Sequence, residues 1–182
     1  MINPEPKDIE AIMYYRLVGF NNLDYDNHIL WAAMMGYSNA QLYNLSQNII
    51  NSEDSSKFKF SEAYRLSYTD IYDFSTKKQS LKKWQIELGL NHLENEYEWD
   101  KPVDKSHWEE IADYCVNDVV TTEAVWNHLS VDWKARCILA DIADMPPNTR
   151  TNALSLAIVF GNNKYPELVY TDLKTGEQTR GR

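Results

Sequence analysis

The sequence has 182 residues, enough for one domain with a small addition, and its 43% hydrophobic and 25% charged residues are near the averages of globular proteins. This composition excludes a chain that is disordered over most of its length. The formal net charge of −9 argues against a free-standing protein that holds nucleic acid over a broad basic surface, although it leaves room for a local site of carboxylates and metal ions.

Segments of alternating strand and helix character make up the first half of the chain. The run YRLVGF predicts a buried strand, and the segment after it predicts a helix that ends at Gly36. Ser80 is placed to begin a later helix, which Gly89 closes. In chain order, the predicted elements are a strand at 15–20, helices at 29–36 and 39–50, a polar loop at 51–57, a strand at 66–74 and a helix at 80–89.

The second half is predicted to be mainly helical. Ser106 and Glu109 have the spacing of a capping box, and apolar residues then recur every three or four positions, which predicts a long amphipathic helix over residues 108–126. Helices are also predicted at 132–143 and 152–160, and a hairpin at 168–179. Strands mixed with helices predict an α/β or α+β domain.

The cysteines and the hydropathy predict a cytoplasmic protein. Cys115 and Cys137 fall within apolar helical patterns, and two cysteines are too few for a disulfide framework or a Cys-rich metal site. We therefore expect buried thiols in a reducing compartment. The sequence has no apolar run of about 18 residues that would predict a membrane span, and its first ten residues lack the pattern of a signal peptide.

The first candidate site is the polar stretch from Gly19 to Asp26, which follows a predicted strand and leads into a helix. Polar residues at the carboxyl end of a strand are a common location for binding sites in α/β proteins. An Asp in this position can also act only as the cap of the helix, so Asp26 alone does not identify a site.

The second candidate site is the pair Tyr114 and Asp118, which lie four residues apart on the long helix and project from the same face. A phenol beside a carboxylate can bind a metal ion and orient a water molecule, although a Tyr packed on the core with a solvated Asp gives the same pattern. A third stretch, residues 76–83, holds four lysines, which can contact phosphates or form a solvated helix face.

Taken together, these segments resemble the 3′–5′ exonuclease domain of bacteriophage DNA polymerases, in the DEDD type that has a Tyr in its third motif. Asn22-Leu-Asp-Tyr25-Asp26 is similar to the second motif of that family, and Tyr114-x-x-x-Asp118 is similar to the third. The segment QSLKKWQIELG resembles the helix between these motifs. The resemblance covers residues 9–145, and residues 132–182 are similar to the connection toward a polymerase module.

The resemblance implies a ribonuclease-H-like α/β exonuclease core at residues 1–145 and a connector, a helical segment and a hairpin, at residues 146–182. It implies a proofreading hydrolase of a bacterium or a phage-infected host that acts on single-stranded 3′ DNA ends. Two Mg²⁺ or Mn²⁺ ions would activate water and stabilise the leaving oxygen. The implied roles are metal binding by Asp26 and Asp118, orientation of the water by Tyr114, and substrate binding by Asn22, Tyr25, Lys82 and Lys83.

The chain departs from the family at its first motif, which is Asp-x-Glu on a strand well upstream of the second. The one Asp-x-Glu in that region is Asp8-Ile9-Glu10, and Ile9, Ile12 and Met13 share one face of a predicted helix there. We therefore expect a core that lacks its first strands. Metal binding by the isolated chain should be weak, in the millimolar range, with Asp8 and Glu10 as the only local substitutes for the missing ligands.

Two functions are compatible with this departure. The chain is either part of an exonuclease that another chain completes, or a catalytically inactive member of the fold that binds a partner. Its charge of −9 suits a partner with a basic surface. We expect the sheet edge left open by the missing strands to be covered by a second copy, by a partner, or by the hairpin at 168–179.

Overall fold

The structure is a computed structural model that describes residues 3–66, 68–91, 93–94, 97–98, 101–161, 169–172 and 174–180. The chain forms two compact units, Met1–Lys134 and Ala135–Arg182. The α-helices of the first unit are α1 (Pro6–Ile12), α2 (Asp26–Met34), α3 (Asn39–Asn51), α4 (Ile71–Phe74), α5 (Leu81–Glu87) and α6 (Trp108–His128). Its strands are β1 (Leu17–Gly19) and β2 (Tyr68–Asp70), and its 3-10 turns are Ser55–Phe58, Ala63–Arg65 and Lys105–His107.

The two strands of the first unit form a parallel sheet, in which Leu17 is opposite Tyr68 and Gly19 is opposite Asp70. Parallel strands end at the same edge, so the segment after β1 and the start of α4 lie side by side. No other strand in the described residues pairs with either one. The architecture is therefore a helix-rich mixture with a small parallel sheet, which agrees with the α/β class.

Trp84 of α5 lies at the centre of the core that holds α5 and α6 beside the sheet. It is 1% exposed, and it clusters with buried residues of α4 and of the end of α6. Val18 and Phe20, within and just after β1, pack against this cluster. Burial of these apolar side chains fixes α6 relative to β1 and so determines which α6 residues lie near the end of that strand.

The Asp70 carboxylate connects the ends of the two strands. Its Oδ1 accepts hydrogen bonds from the backbone N of Asn21 (2.8 Å) and of Tyr72 (2.8 Å), and its Oδ2 accepts one from the backbone N of Leu23 (3.2 Å). Asn21 has a left-handed backbone, with a φ of 57°. One buried side chain therefore holds the loop after β1 and also caps α4.

The second unit contains a helix pair and a hairpin. Most of helix α7 (Ser130–Ala143) belongs to this unit, and it is followed by α8 (Thr151–Phe160), β3 (Val169–Thr171) and β4 (Gln178–Arg180). Ala140, Ala143 and Leu154 form its apolar cluster. The buried Arg136 donates from Nε to the carbonyl of Pro147 (3.0 Å) and from Nη1 to the hydroxyl of Thr151 (2.7 Å). The antiparallel β3–β4 pair confirms the predicted hairpin.

The helices predicted by periodicity are confirmed, and so is the helical reading of the segment with Asp8 and Glu10, which lies in α1. The predicted strand at 66–74 is correct only for Tyr68–Asp70. The polar and apolar alternation continues beyond Asp70, but the Asp70 cap turns the chain into α4. The predicted loop at 51–57 contains the start of a 3-10 turn.

Two predictions about α6 and α7 are wrong. Ser106 does not cap it; Asp104 instead accepts hydrogen bonds from the backbone N (3.0 Å) and hydroxyl (2.7 Å) of Ser106 within a 3-10 turn. Cys115 is exposed and Cys137 is half-buried, whereas both were expected to be buried. The apolar pattern of α6 marks a face of the helix, but the described residues leave part of that face uncovered, including Val119.

No helix in the ranges that the structure describes has both the length and the apolar character that a membrane crossing requires.

The first prediction concerns Asp70. Asp70→Ala removes the acceptor of three backbone N–H groups, so we expect the free energy of unfolding to fall by about 2–4 kcal/mol. Urea denaturation followed by circular dichroism measures the change. Asp113→Asn, at an exposed position of α6, is the control and should have no measurable effect. Equal stability of Asp70→Ala and the parent protein would contradict the role assigned to this carboxylate.

Candidate functional site

A cavity of about 510 Å³ lies between the end of β1 and helix α6. Three carboxylates line it: Asp26 from the start of α2, and Asp118 and Glu123 from α6. Aromatic rings of Phe20, Tyr68 and Trp126 form part of its walls, together with aliphatic side chains. The cavity is therefore both acidic and aromatic.

Gly19 allows β1 to lie very close to the side chains of Tyr68 and Asn22. A Cβ atom at this position would lie 2.5 Å from the Tyr68 ring and 2.7 Å from Oδ1 of Asn22. Such distances are far below van der Waals contact, and the Asn22 side chain is held by its hydrogen bond to Asn27. Only glycine fits here without displacing the cavity wall.

Asn22 links the loop after β1 to α2. Its backbone oxygen accepts a hydrogen bond from the backbone N of Asn27 (2.9 Å), and its Nδ2 donates to Oδ1 of Asn27 (2.9 Å). Asn27 in turn donates to the carbonyl of Ala63 (3.1 Å). The Asn22 side chain is 1% exposed and forms part of the cavity wall, and its Oδ1 is buried without a hydrogen-bond partner.

Loss of hydration raises the pKa of two groups that line the cavity, Asp26 and Tyr68. The pKa of Asp26 is raised, mainly because nearby protein atoms remove part of the hydration of its carboxylate and further because of the negative charge of Asp70. Part of the Asp26 side chain nevertheless remains exposed to solvent, because it faces the open cavity. Burial raises the pKa of Tyr68, and the charges of Asp26 and Asp70 add to this effect. Tyr68 therefore carries its proton at neutral pH.

Tyr114 and Asp118 face a second cavity, of about 360 Å³, which they share with Lys82 and Glu94. The negative charge of Asp118 is the main cause of a raised pKa for Tyr114, so the phenol remains protonated and able to donate a hydrogen bond. Because Asp118 lines both cavities, the two adjoin at this residue. The structure thus brings Asp26, Asp118 and Tyr114 to one region of the surface.

The remaining residues implied as substrate contacts are placed differently. Nζ of Lys82 forms an exposed ion pair with Oε1 of Glu94 at 2.5 Å, and Lys83 is exposed on α5 outside both cavities. The Tyr25 hydroxyl is 2.7 Å from the hydroxyl of Ser46, and its ring packs against the cluster between α2 and α3. Tyr25 does not line the cavity that holds Asp26 and Asp118.

Asp8 and Glu10 lie on α1, and Oδ2 of Asp8 accepts a hydrogen bond from the backbone N of Glu5 (3.0 Å). Across the described part of the chain, no three Asp, Glu, His or Cys side chains come close enough together to hold a metal ion. The described residues therefore do not form a two-metal centre. Asp26 and Asp118 offer two oxygen ligands, which suits one loosely bound Mg²⁺ that keeps most of its waters.

Two residues near the site have roles that the sequence did not indicate. Asp70 was visible as part of a predicted strand but not as the side chain that organises the loop. Glu123 lies five residues after Asp118, a spacing that predicts different faces of a helix. No protein-family model, curated protein or solved structure matches this chain.

The second prediction concerns Asp26 and pH. Because the pKa of Asp26 is higher in the folded state than its ordinary value of 3.8, folding with an ionised carboxylate costs stability once the pH rises through the folded-state pKa. Asn cannot ionise, so Asp26→Asn should raise the free energy of unfolding at pH 7. The gain should disappear below pH 3.8, where the Asp is protonated in both states. Urea denaturation at several pH values measures it, and a destabilised variant at pH 7 would contradict the argument.

Proposed function

We propose that this chain is part of a metal-dependent 3′–5′ exonuclease of the kind that proofreads in phage-like DNA polymerases. The observation that carries the proposal is the convergence of Asp26 and Asp118 on one cavity, although they belong to distant parts of the sequence. Tyr114, the third residue of the resemblance, lies one helical turn from Asp118 and faces the adjoining cavity.

The architecture supports a ribonuclease-H-like core that is incomplete. The cavity lies at the end of a parallel strand pair, with α6 packed beside it. Within residues 3–66 and 68–91, no further strand pairs with β1 or β2. In this proposal another chain supplies further strands and the Asp-x-Glu carboxylates, and Asp26, Tyr114 and Asp118 form the second half of the site.

Each residue then has a distinct task. Asp26 and Asp118 would hold a divalent ion through their carboxylate oxygens, and the protonated Tyr114 hydroxyl would orient a water molecule by a hydrogen bond. Divalent ions bound there would supply positive charge for activation of water and for stabilisation of the leaving oxygen. Lys82 lies in the Tyr114 cavity, where a DNA phosphate can replace Glu94 as its partner, because exposed ion pairs contribute little stability.

A second candidate function rests on a separate observation. The described residues contain no group of three metal-binding side chains, and Asp8 and Glu10 lie on a helix. This favours a catalytically inactive chain that keeps the fold and binds a partner. The net charge of −9 suits a partner with a basic surface.

The third prediction concerns metal binding. Mn²⁺ added to the ¹⁵N-labelled protein should broaden the amide signals of residues near Asp26 and Asp118, with half-saturation in the millimolar range. Asp118→Asn should remove the broadening, whereas Glu109→Gln, at an exposed position on the same helix, should retain it. Broadening that Asp118→Asn leaves intact would place the ion elsewhere.

The fourth prediction concerns hydrolysis. The isolated chain should show negligible cleavage of 5′-labelled single-stranded DNA in Mg²⁺ or Mn²⁺, because two carboxylates cannot hold two ions about 3.5–4 Å apart. A denaturing gel with Asp118→Ala as a background control measures this. Processive degradation that Glu10→Ala abolishes would show that α1 supplies the first motif. Degradation that persists in Asp118→Ala would show that the activity does not come from this site.

A further inference from the structure

The wall of the cavity between β1 and α6 carries three carboxylates, which exceed the neutral donors Tyr68 and Trp126 in charge and in hydrogen-bond capacity. Asp26, Asp118 and Glu123 present carboxylates on its walls. The Thr122 hydroxyl donates to the backbone oxygen of Asp118 (2.8 Å), and Nδ2 of Asn22 is committed to Asn27. A ligand for this cavity therefore needs to be a donor and to carry positive charge.

The buried Oδ1 of Asn22 is an independent sign of a ligand. Buried polar atoms in folded proteins almost always have a hydrogen-bond partner, because loss of hydration without a replacement costs free energy. This oxygen belongs to the cavity wall, beside Gly19, and has none. An N–H group that enters the cavity beside Gly19 can supply the missing hydrogen bond.

The spread of the carboxylates selects the kind of cation. The described residues do not bring three acidic groups to one point, and Asp118 and Glu123 are separated by about 7.5 Å along the axis of α6. A guanidinium group suits this arrangement, because it distributes five N–H donors over a flat, delocalised cation. It also stacks on aromatic rings, which Phe20 and Trp126 provide.

We propose that, in the absence of divalent ions, this cavity binds an alkylguanidinium group. The guanidinium contacts the carboxylates and Asn22, and its aliphatic stem lies against Val18, Leu81 and Val119. The inference goes beyond the proposed nuclease function, because it requires only the cavity. A bound guanidinium would also regulate this site, because it would compete with a divalent ion for Asp26 and Asp118.

The test is a titration of the ¹⁵N-labelled protein in EDTA with N-acetyl-arginine N-methylamide. Shifts should be confined to cavity residues such as Asn22 and Glu123. The citrulline analogue, which has the same shape without the charge, should bind at least about tenfold more weakly, as expected for loss of charge-assisted hydrogen bonds. Equal affinity for the two compounds would overturn the proposal, and so would shifts centred outside the cavity.

Protein variants provide the second readout. Glu123→Gln, at an exposed position that should not affect folding, is expected to weaken binding about tenfold, whereas Glu109→Gln on the same helix should not. An equal loss of affinity in both variants would overturn the proposed site.

Ethylguanidinium tests the source of the ligand. Binding equal to that of the arginine compound indicates that a free alkylguanidine is sufficient, and weaker binding indicates an arginine within a polypeptide. If arginine binding fails while Mn²⁺ broadening persists, only this inference falls; the reverse result removes only the nuclease proposal.

Discussion

The contact between the Asp70 carboxylate and the loop after β1 determines where the rest of the site can lie. Within the described residues the sheet has two strands, so the strands themselves constrain the loop very little. Asp70 compensates for this, because it binds two N–H groups of the loop and one of the following helix. With the loop held, Asn22 can reach Asn27, and α2 begins with Asp26 at the cavity. The loss of this contact would release Asn22 and the start of α2 together.

The site concentrates negative charge at a cost to stability. Asp26 loses hydration and lies near Asp70, and both carboxyl groups have raised pKa values, chiefly through loss of hydration. A protein with no use for this arrangement would gain stability from a neutral side chain at Asp26. In both proposals a bound cation offsets this cost, because it neutralises the charge of Asp26 beside Asp118 and Glu123.

The sequence predicted the elements whose formation depends on local pattern. It failed where tertiary contacts determine the end of an element or the burial of a side chain. The spacing of Leu81, Trp84 and Leu88 was sufficient for α5, because a single buried face produces that pattern. The end of β2 could not be found in the same way, since LSYTDIYDF alternates through the point at which Asp70 caps α4. The pair Asp26 and Asp118 came from a family resemblance, whereas Glu123 joins them only through the packing of α6 beside β1. Cys115 shows the same limit, because periodicity identifies a helix face but not what covers it.

The close approach at Gly19 has a consequence for the history of such a chain. A chain that is not selected for catalysis can accumulate substitutions at its carboxylates without unfolding, and some of these changes add stability. Gly19 has no such freedom, because any side chain collides with the Tyr68 ring and with Asn22. Among natural variants, loss of this glycine would therefore indicate that the pocket has decayed, while its retention alongside altered acids would indicate a pocket kept for a different ligand.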